Sequence, residues 1–247
     1  MPFKSFGDIR VLSFDLFDAQ SGINCFVSSS YNDFNLGTSG EADIDEIKYN
    51  RQKFLQTVGS NLDAAAIGKQ IHSANVRTVA KGGIYADTDG FVTNAEGVSL
   101  IISAADCLPV FLYDPTNKVI GAAHSGRVGT QKNITTKVVN KMRLEFKSNP
   151  VDIIAVIGPA IETDCYEVGM DAIGGIKEDY VIPKQEDKYM LDLKGAVKDQ
   201  LISAGIAERN IEVSGICTKC DAENFYSYRR EGSSSGRMWG VIRLALG

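Results

Sequence analysis

A chain of 247 residues, 44% hydrophobic and 23% charged, can bury a core of its own and is expected to form a single domain over residues 1–247. Its net charge of −5 argues against nucleic acid as a partner, because a phosphate-backbone footprint needs clustered Lys and Arg. No uncharged run approaches the ~18 residues of a membrane span, so no membrane partner is expected.

The first residues carry charges through their apolar run and show no signal-peptide cleavage pattern. Cys25, Cys107, Cys165, Cys217 and Cys220 are an odd, scattered set. A reducing, cytoplasmic setting is therefore expected rather than a disulfide framework.

In chain order, the β-rich segments VLSFDLFD (11–18) and INCFVSSS (23–30) flank a short Gly-containing turn and predict a hairpin. ADIDEIKYNRQKFLQTVG (42–59) keeps Ile44, Ile47, Phe54, Leu55 and Val58 at helical spacing, with Gly59 as a stop. KQIHSANVRTVA (69–80) reads as a strand containing His72, followed by the polar turn ADTDG (86–90). VSLIISA (98–104), LPVFLYD (108–114) and KVIGAAH (118–124) read as strands, the last two joined through the turn DPTN. A helical pattern covers 130–146, then a buried-looking strand 151–158, helices near 170–178 and 193–204, and late strands 211–217 and 237–246. Strict βαβα alternation is missing and no GxGxxG follows a first strand. The expectation is an α+β fold with mixed β-sheets in a sandwich flanked by helices.

The stretch AADCLPVFLYDPTNKVIGAAHSG (104–126) carries polar chemistry at both ends. If its two strands pair with Asp114 facing Asn117, Cys107 faces His124 with Cβ atoms about 4.5–5.5 Å apart on one side of the sheet. Pro115 cannot take the positive φ of a type I′ turn, so a type I turn with a bulge is expected, and a slip of one residue would separate the pair.

Three readings of that pair stand open. Cys107 and His124 alone would make a cysteine hydrolase dyad, with the imidazole lowering the thiol pKa and acting as base. The chain has only two histidines, however, and a dyad leaves His72 idle. Together His72, Cys107 and His124 give three protein ligands for Zn²⁺ and an open fourth position, the catalytic pattern, in which a bound water becomes acidic enough to attack carbon. The same His₂Cys set suits copper. A multicopper oxidase would further need a trinuclear cluster, which two histidines cannot build. CTKC (217–220) is a CxxC without a second CxxC and does not support a zinc ribbon. FYSYRREGSSSGRMWG (225–240) combines aromatic rings with Arg229, Arg230 and Arg237, which suits either stacking a purine or phenolic ring with guanidiniums forked onto phosphate, or a solvated turn flanked by half-buried tyrosines.

The motifs NLG (35–37), NR (50–51), KQIH (69–72), ADCLPVFLYDP, GAAHSG, IGPAI with CYEVG, LDL (191–193), and CT followed by FYSYRR and SGRM run in order over nearly the whole chain. In these the sequence resembles the YfiH/LACC1 family, labelled polyphenol oxidase or laccase domain and described as purine nucleoside phosphorylases. The resemblance implies His72, Cys107 and His124 as zinc ligands. It also implies phosphorolysis of adenosine, inosine and methylthioadenosine, with deamination of adenosine to inosine. Purine nucleosides and phosphate are then the partners, and a homodimer is compatible with the reading. Cys107, His124 and Asp106 are the catalytic candidates, Asp106 as proton carrier because it adjoins a ligand. Asn35, Arg51, Gln70, Arg229 and Arg230 are the substrate-binding candidates, the arginines for phosphate. Two departures from the family pattern stand out. Arg127 and Val128 replace the usual Trp and Arg after the second histidine, and Thr38, Ser39 and Gly40 stand where a histidine often follows NLG.

Overall fold

The computed structural model describes residues 1–38 and 43–245; Ser39 and Gly40, singled out by the family pattern, lie outside them. The first half of the chain runs β1 (Phe3–Phe6), β2 (Ile9–Leu12), α1 (Asp15–Asp18), β3 (Ile23–Ser28), α2 (Ile44–Thr57), β4 (Ala65–Gly68), β5 (Val76–Thr78) and β6 (Gly83–Tyr85). Then come β7 (Gly90–Thr93), β8 (Ser99–Ala104), β9 (Leu108–Asp114), β10 (Val119–Ser125), α3 (Arg127–Gln131), α4 (Ile134–Phe146) and β11 (Ile154–Ile157). The remainder is β12 (Glu167–Gly169), β13 (Val181–Pro183), β14 (Lys188–Leu191), α5 (Leu193–Ser203), β15 (Ile211–Val213), α6 (Tyr228–Glu231) and β16 (Met238–Leu244).

Two mixed sheets stack face to face between helices. One has the order β1-β2-β3-β16-β8-β4-β6, the other β15-β11-β9-β10-β7-β5, and a small third sheet has the order β12-β14-β13. Strand alternation builds the layers. On β9, Phe111 and Tyr113 join Phe14, Phe91, Leu100 and Ile242 between the two large sheets. Leu108, Val110 and Leu112 turn the other way, against Val138 and Met142 of α4 and Val197 and Leu201 of α5. On the far side, Phe54 and Leu55 of α2 cover Ile101, Trp239 and Val241. Both faces of β9 and β10 are therefore covered, which is why these strands are apolar almost throughout.

The α+β sandwich stands, and so do the expected helices at α2, α4 and α5. Four expectations are corrected. Strand β2 ends at Leu12, and α1 intervenes before β3, so β2 and β3 pair antiparallel through a longer connection than a hairpin turn. Residues 170–178 hold no helix longer than a 3₁₀ turn, because Gly174 and a left-handed Gly175 (φ +81°) interrupt it. His72 lies in a turn, with φ +58°, and not in a strand. The hairpin register is also different. Asp114 pairs with Val119 across a four-residue turn, so His124 faces Pro109. Asp114 sets that turn itself: one carboxylate oxygen accepts the Thr116 and Asn117 amides at 2.9 and 3.1 Å.

Candidate metal centre

The register correction moves Cys107 by two positions along the strand, which leaves it on the His124 side of the sheet. Continued one step beyond the ladder, the pairing sets Cys107 against Gly126. A Cβ added at Gly126 would lie 2.7 Å from the Cys107 sulfur and 3.3 Å from a His72 ring carbon. Only a hydrogen at that position leaves room for the thiol and the second imidazole to close on His124. The His72 and His124 rings stand edge to face with centroids 4.9 Å apart. One ligand atom from each of His72, Cys107 and His124 lies within 4.8 Å of the others.

Asp89 holds this arrangement together, and sequence reasoning missed it inside the turn ADTDG. It is fully buried. Its carboxylate accepts the backbone N–H of Ile71, His72 and Ser73 at 3.2, 3.0 and 2.8 Å, which wraps the left-handed His72 turn around it. The Ser73 hydroxyl adds a fourth bond at 2.7 Å. His124 Nδ1 lies 2.9 Å from the same carboxylate. Burial pushes the Asp89 carboxyl up, but His124 and Ser73 outweigh it and hold it down to about 2. The ionised carboxylate can only accept, so Nδ1 carries the proton and Nε2 is left for Cys107 or a cation.

Burial raises the Cys107 thiol, yet the His124 ring and then His72 bring it down to about 6. Burial lowers His124, while Cys107 and Asp89 carry it up to about 9. Without a cation the protein thus favours a Cys107 thiolate facing a protonated His124, and a metal would take the place of the Nε2 proton. A thiolate and two imidazoles are the donor set of a zinc site with one position left open, and they fit the metal.

The other candidates divide into two groups. Arg229 is exposed, lies over the Tyr166 ring at 5.0 Å, and donates to the Glu167 carbonyl at 2.8 Å, leaving much of its fork open. Arg51 donates to the Leu36 carbonyl at 2.8 Å and stacks on Trp239 at 4.7 Å. Asn35 accepts the Gly37 and Arg237 amides at 2.8 and 2.9 Å, so the NLG loop and Arg237 form one unit. Arg237 feels the Cys107 and Asp106 charges, which oppose the burial that lowers its pKa.

The second group is engaged by backbone. The Gln70 amide exchanges two 2.8 Å bonds with the Ser103 peptide. Arg230 donates to the carbonyls of Thr218, Lys219 and Phe225 at 2.9, 2.8 and 2.7 Å and also pairs with Glu231. Asp106 does bend the chain, with φ +81°. Its carboxylate accepts the Thr218 hydroxyl and the Arg229 amide, both at 2.7 Å.

Tyr166, from the CYEVG motif, also reaches the centre. Burial raises its phenol and so does the Cys107 sulfur, against the lowering effect of Arg127 and Arg229. Arg127 stands where the family pattern has Trp, and donates to Gln131 at 3.2 Å and to the Ala172 carbonyl at 3.5 Å. Among the described residues no helix is long and apolar enough to cross a membrane.

The family described as multi-copper polyphenol oxidoreductase laccase matches residues 20–245 of this chain. A Bacillus subtilis protein named purine nucleoside phosphorylase YlmD is 35% identical over 220 residues, covering 83% of this chain and 79% of that protein. A protein of an unknown prokaryotic organism named adenosine deaminase RL5 is 30% identical over 212 residues, 78% of this chain and 80% of that one. The crystal structure of the Bacillus licheniformis hypothetical protein YfiH superposes with a TM-score of 0.91 at 27% identity, covering 99% of both chains.

Proposed function

The chain belongs to the multi-copper polyphenol oxidoreductase laccase family, and from that premise we propose that it is a zinc-dependent purine nucleoside phosphorylase that also deaminates adenosine. The observation that carries this reading is the meeting of His72, Cys107 and His124 within 4.8 Å beside a rim of arginine and tyrosine. The similarity to proteins named for nucleoside phosphorolysis and adenosine deamination supports the substrate class. Oxidative chemistry on several coppers is disfavoured by the histidine supply, two in the whole chain. A Cys107–His124 dyad is disfavoured because it leaves the elaborate Asp89 support of His72 without a purpose.

His72, Cys107 and His124 would hold the metal. Zinc in that set supplies a Lewis acid and acidifies a coordinated water. In phosphorolysis of adenosine, inosine or methylthioadenosine, a phosphate oxygen bonds to C1′ as the C1′–N9 bond breaks. The bond electrons leave with the purine, which takes up a proton.

Arg229 and Arg51 bind the phosphate, Arg229 with the unoccupied part of its fork. Tyr166 offers its ring to the base, and Asn35 positions the loop that brings Arg237 to the same rim. Asp89 orients His124. Asp106, which receives the Arg229 amide and the Thr218 hydroxyl, keeps the phosphate arginine and the thiolate strand in register. Gln70 and Arg230 serve the site by fixing its loops. Residues 1–247 work as one laccase domain in the cytoplasm, where free thiols stay reduced.

The test supplies adenosine with and without phosphate to the wild type and to His72→Ala, with products separated by chromatography. Adenine and ribose 1-phosphate formed only with phosphate, inosine formed without it, and both lost in the variant are expected. Unimpaired turnover by His72→Ala would return the centre to the dyad.

A further inference from the structure

Cys165, Cys217 and Cys220 meet on two loops, Cys220 exposed and the other two half-buried, and nothing in the proposed activity uses them. Their sulfurs all lie within 4.8 Å of one another. Cys165 and Cys220, 55 residues apart in sequence, approach to 3.4 Å. That is far longer than the ~2.05 Å of a disulfide. It sits near the ~3.8 Å that separates two thiolates on a tetrahedral zinc with Zn–S bonds of about 2.3 Å.

The cluster does not depend on the sulfurs to form. Ala160 and Cys217 are bridged in parallel, and the Thr218 amide donates to the Ala160 carbonyl at 3.1 Å. Buried Lys194 ties the two loops further, donating to the carbonyls of Ser214 and Ile216 at 2.7 and 2.9 Å and pairing with Glu162. The Glu162 amide points at the Cys217 sulfur, 3.5 Å away, and the amides of Lys219 and Cys220 face the same atom. Backbone N–H groups turned onto the first sulfur of a CxxC are suited to a thiolate that holds a cation. Three thiols also match a metal better than a disulfide, which would strand one of them.

We propose that Cys165, Cys217 and Cys220 form a second zinc site that fastens two loops, with three thiolates from the chain and the fourth position completed by solvent on the side of exposed Cys220. The site clips together the loop that carries Tyr166 and Glu167 and the loop that carries Thr218, on which Arg230 is anchored. Asp106 links the clip to the centre, since it accepts the Thr218 hydroxyl and its carbonyl receives the Ile161 amide at 3.0 Å. The total of two zinc ions rests on the zinc centre of the proposed function, whereas protection of these three cysteines by zinc does not.

The test is titration of reduced, metal-stripped, full-length protein with Zn²⁺ alone under anaerobic conditions. Two zinc ions per wild-type chain are expected, one in His72→Ala and one in Cys217→Ser. Cobalt-loaded His72→Ala should show thiolate-to-metal absorption that the Cys217→Ser exchange in the same background removes. In the wild type, which avoids any folding defect of the variants, zinc should slow alkylation of Cys165, Cys217 and Cys220 about tenfold or more. One zinc per wild-type chain with those three cysteines unprotected would overturn the site. A disulfide among them in protein prepared anaerobically would overturn it too.

Discussion

The His72–Cys107–His124 centre and the Cys165–Cys217–Cys220 cluster each gather three ligand atoms within 4.8 Å, but they are built on different foundations. Cys107 and His124 come from the ends of β9 and β10, strands covered on both faces, and a fully buried carboxylate serves both imidazole-bearing segments. The thiol cluster sits on two surface loops and is supported by backbone amides and by Lys194. A buried carboxylate bonded to an imidazole sets the tautomer and the basicity of that ligand, whereas Lys194 spends its bonds on two carbonyls and Glu162 and so holds loops together. The first arrangement suits chemistry and the second suits fastening.

The sharpest way to break that contrast is to exchange one sulfur in each. Cys107→Ser should lower kcat/KM for adenosine phosphorolysis by about 10³-fold, the equivalent of about 4 kcal/mol of lost Lewis-acid stabilisation. Cys217→Ser should change turnover only modestly and instead lower the midpoint of thermal unfolding. If the two variants lose activity equally, the division of labour fails.

Asp89→Asn comes next, with zinc affinity or activity expected to fall about 10–100-fold while the fold survives. Competition with a chromogenic chelator would measure it, and unchanged affinity would mean that the carboxylate does no more than shape the turn. Gly126→Ala probes crowding alone, since its φ of −74° suits alanine. The added Cβ should displace the Cys107 sulfur and the His72 ring and cost about tenfold or more in kcat/KM.

The smallest effects separate neighbouring arginines. Arg230→Ala should destabilise the protein by about 2 kcal/mol, read from denaturant unfolding, because three carbonyls lose a charged donor. Arg229→Ala should leave stability nearly unchanged and raise the KM for phosphate more than that for nucleoside. A phosphate KM unmoved by Arg229→Ala and by Arg51→Ala together would remove both from the phosphate site.

Several parts of this picture were legible in the sequence and others were not. Helices α2, α4 and α5 announced themselves through apolar spacing, because each lays one face on a sheet. The helix expected at 170–178 did not form, and the short strands β12, β13 and β14, half exposed and only three or four residues long, carry too little pattern to be read. Cys107 and His124 do lie together, although the strands pair in a register other than the expected one. The two registers differ by two, and an even slip preserves the face on which Cys107 and His124 sit.

By itself the sequence determined the scarcity of histidine, the placing of Cys107 and His124 beside two apolar strands, and the series of motifs shared with the family. Those depend on residue identity and on local period, which the chain carries with it. Tertiary structure alone decided that Asp89 would serve both His72 and His124, that Asp106 and Arg230 would secure loops, and that Cys165 would meet a CxxC 55 residues away. Each of these joins segments distant along the chain, so each forms only when the sheets and the loops between their strands have packed and set the partners side by side.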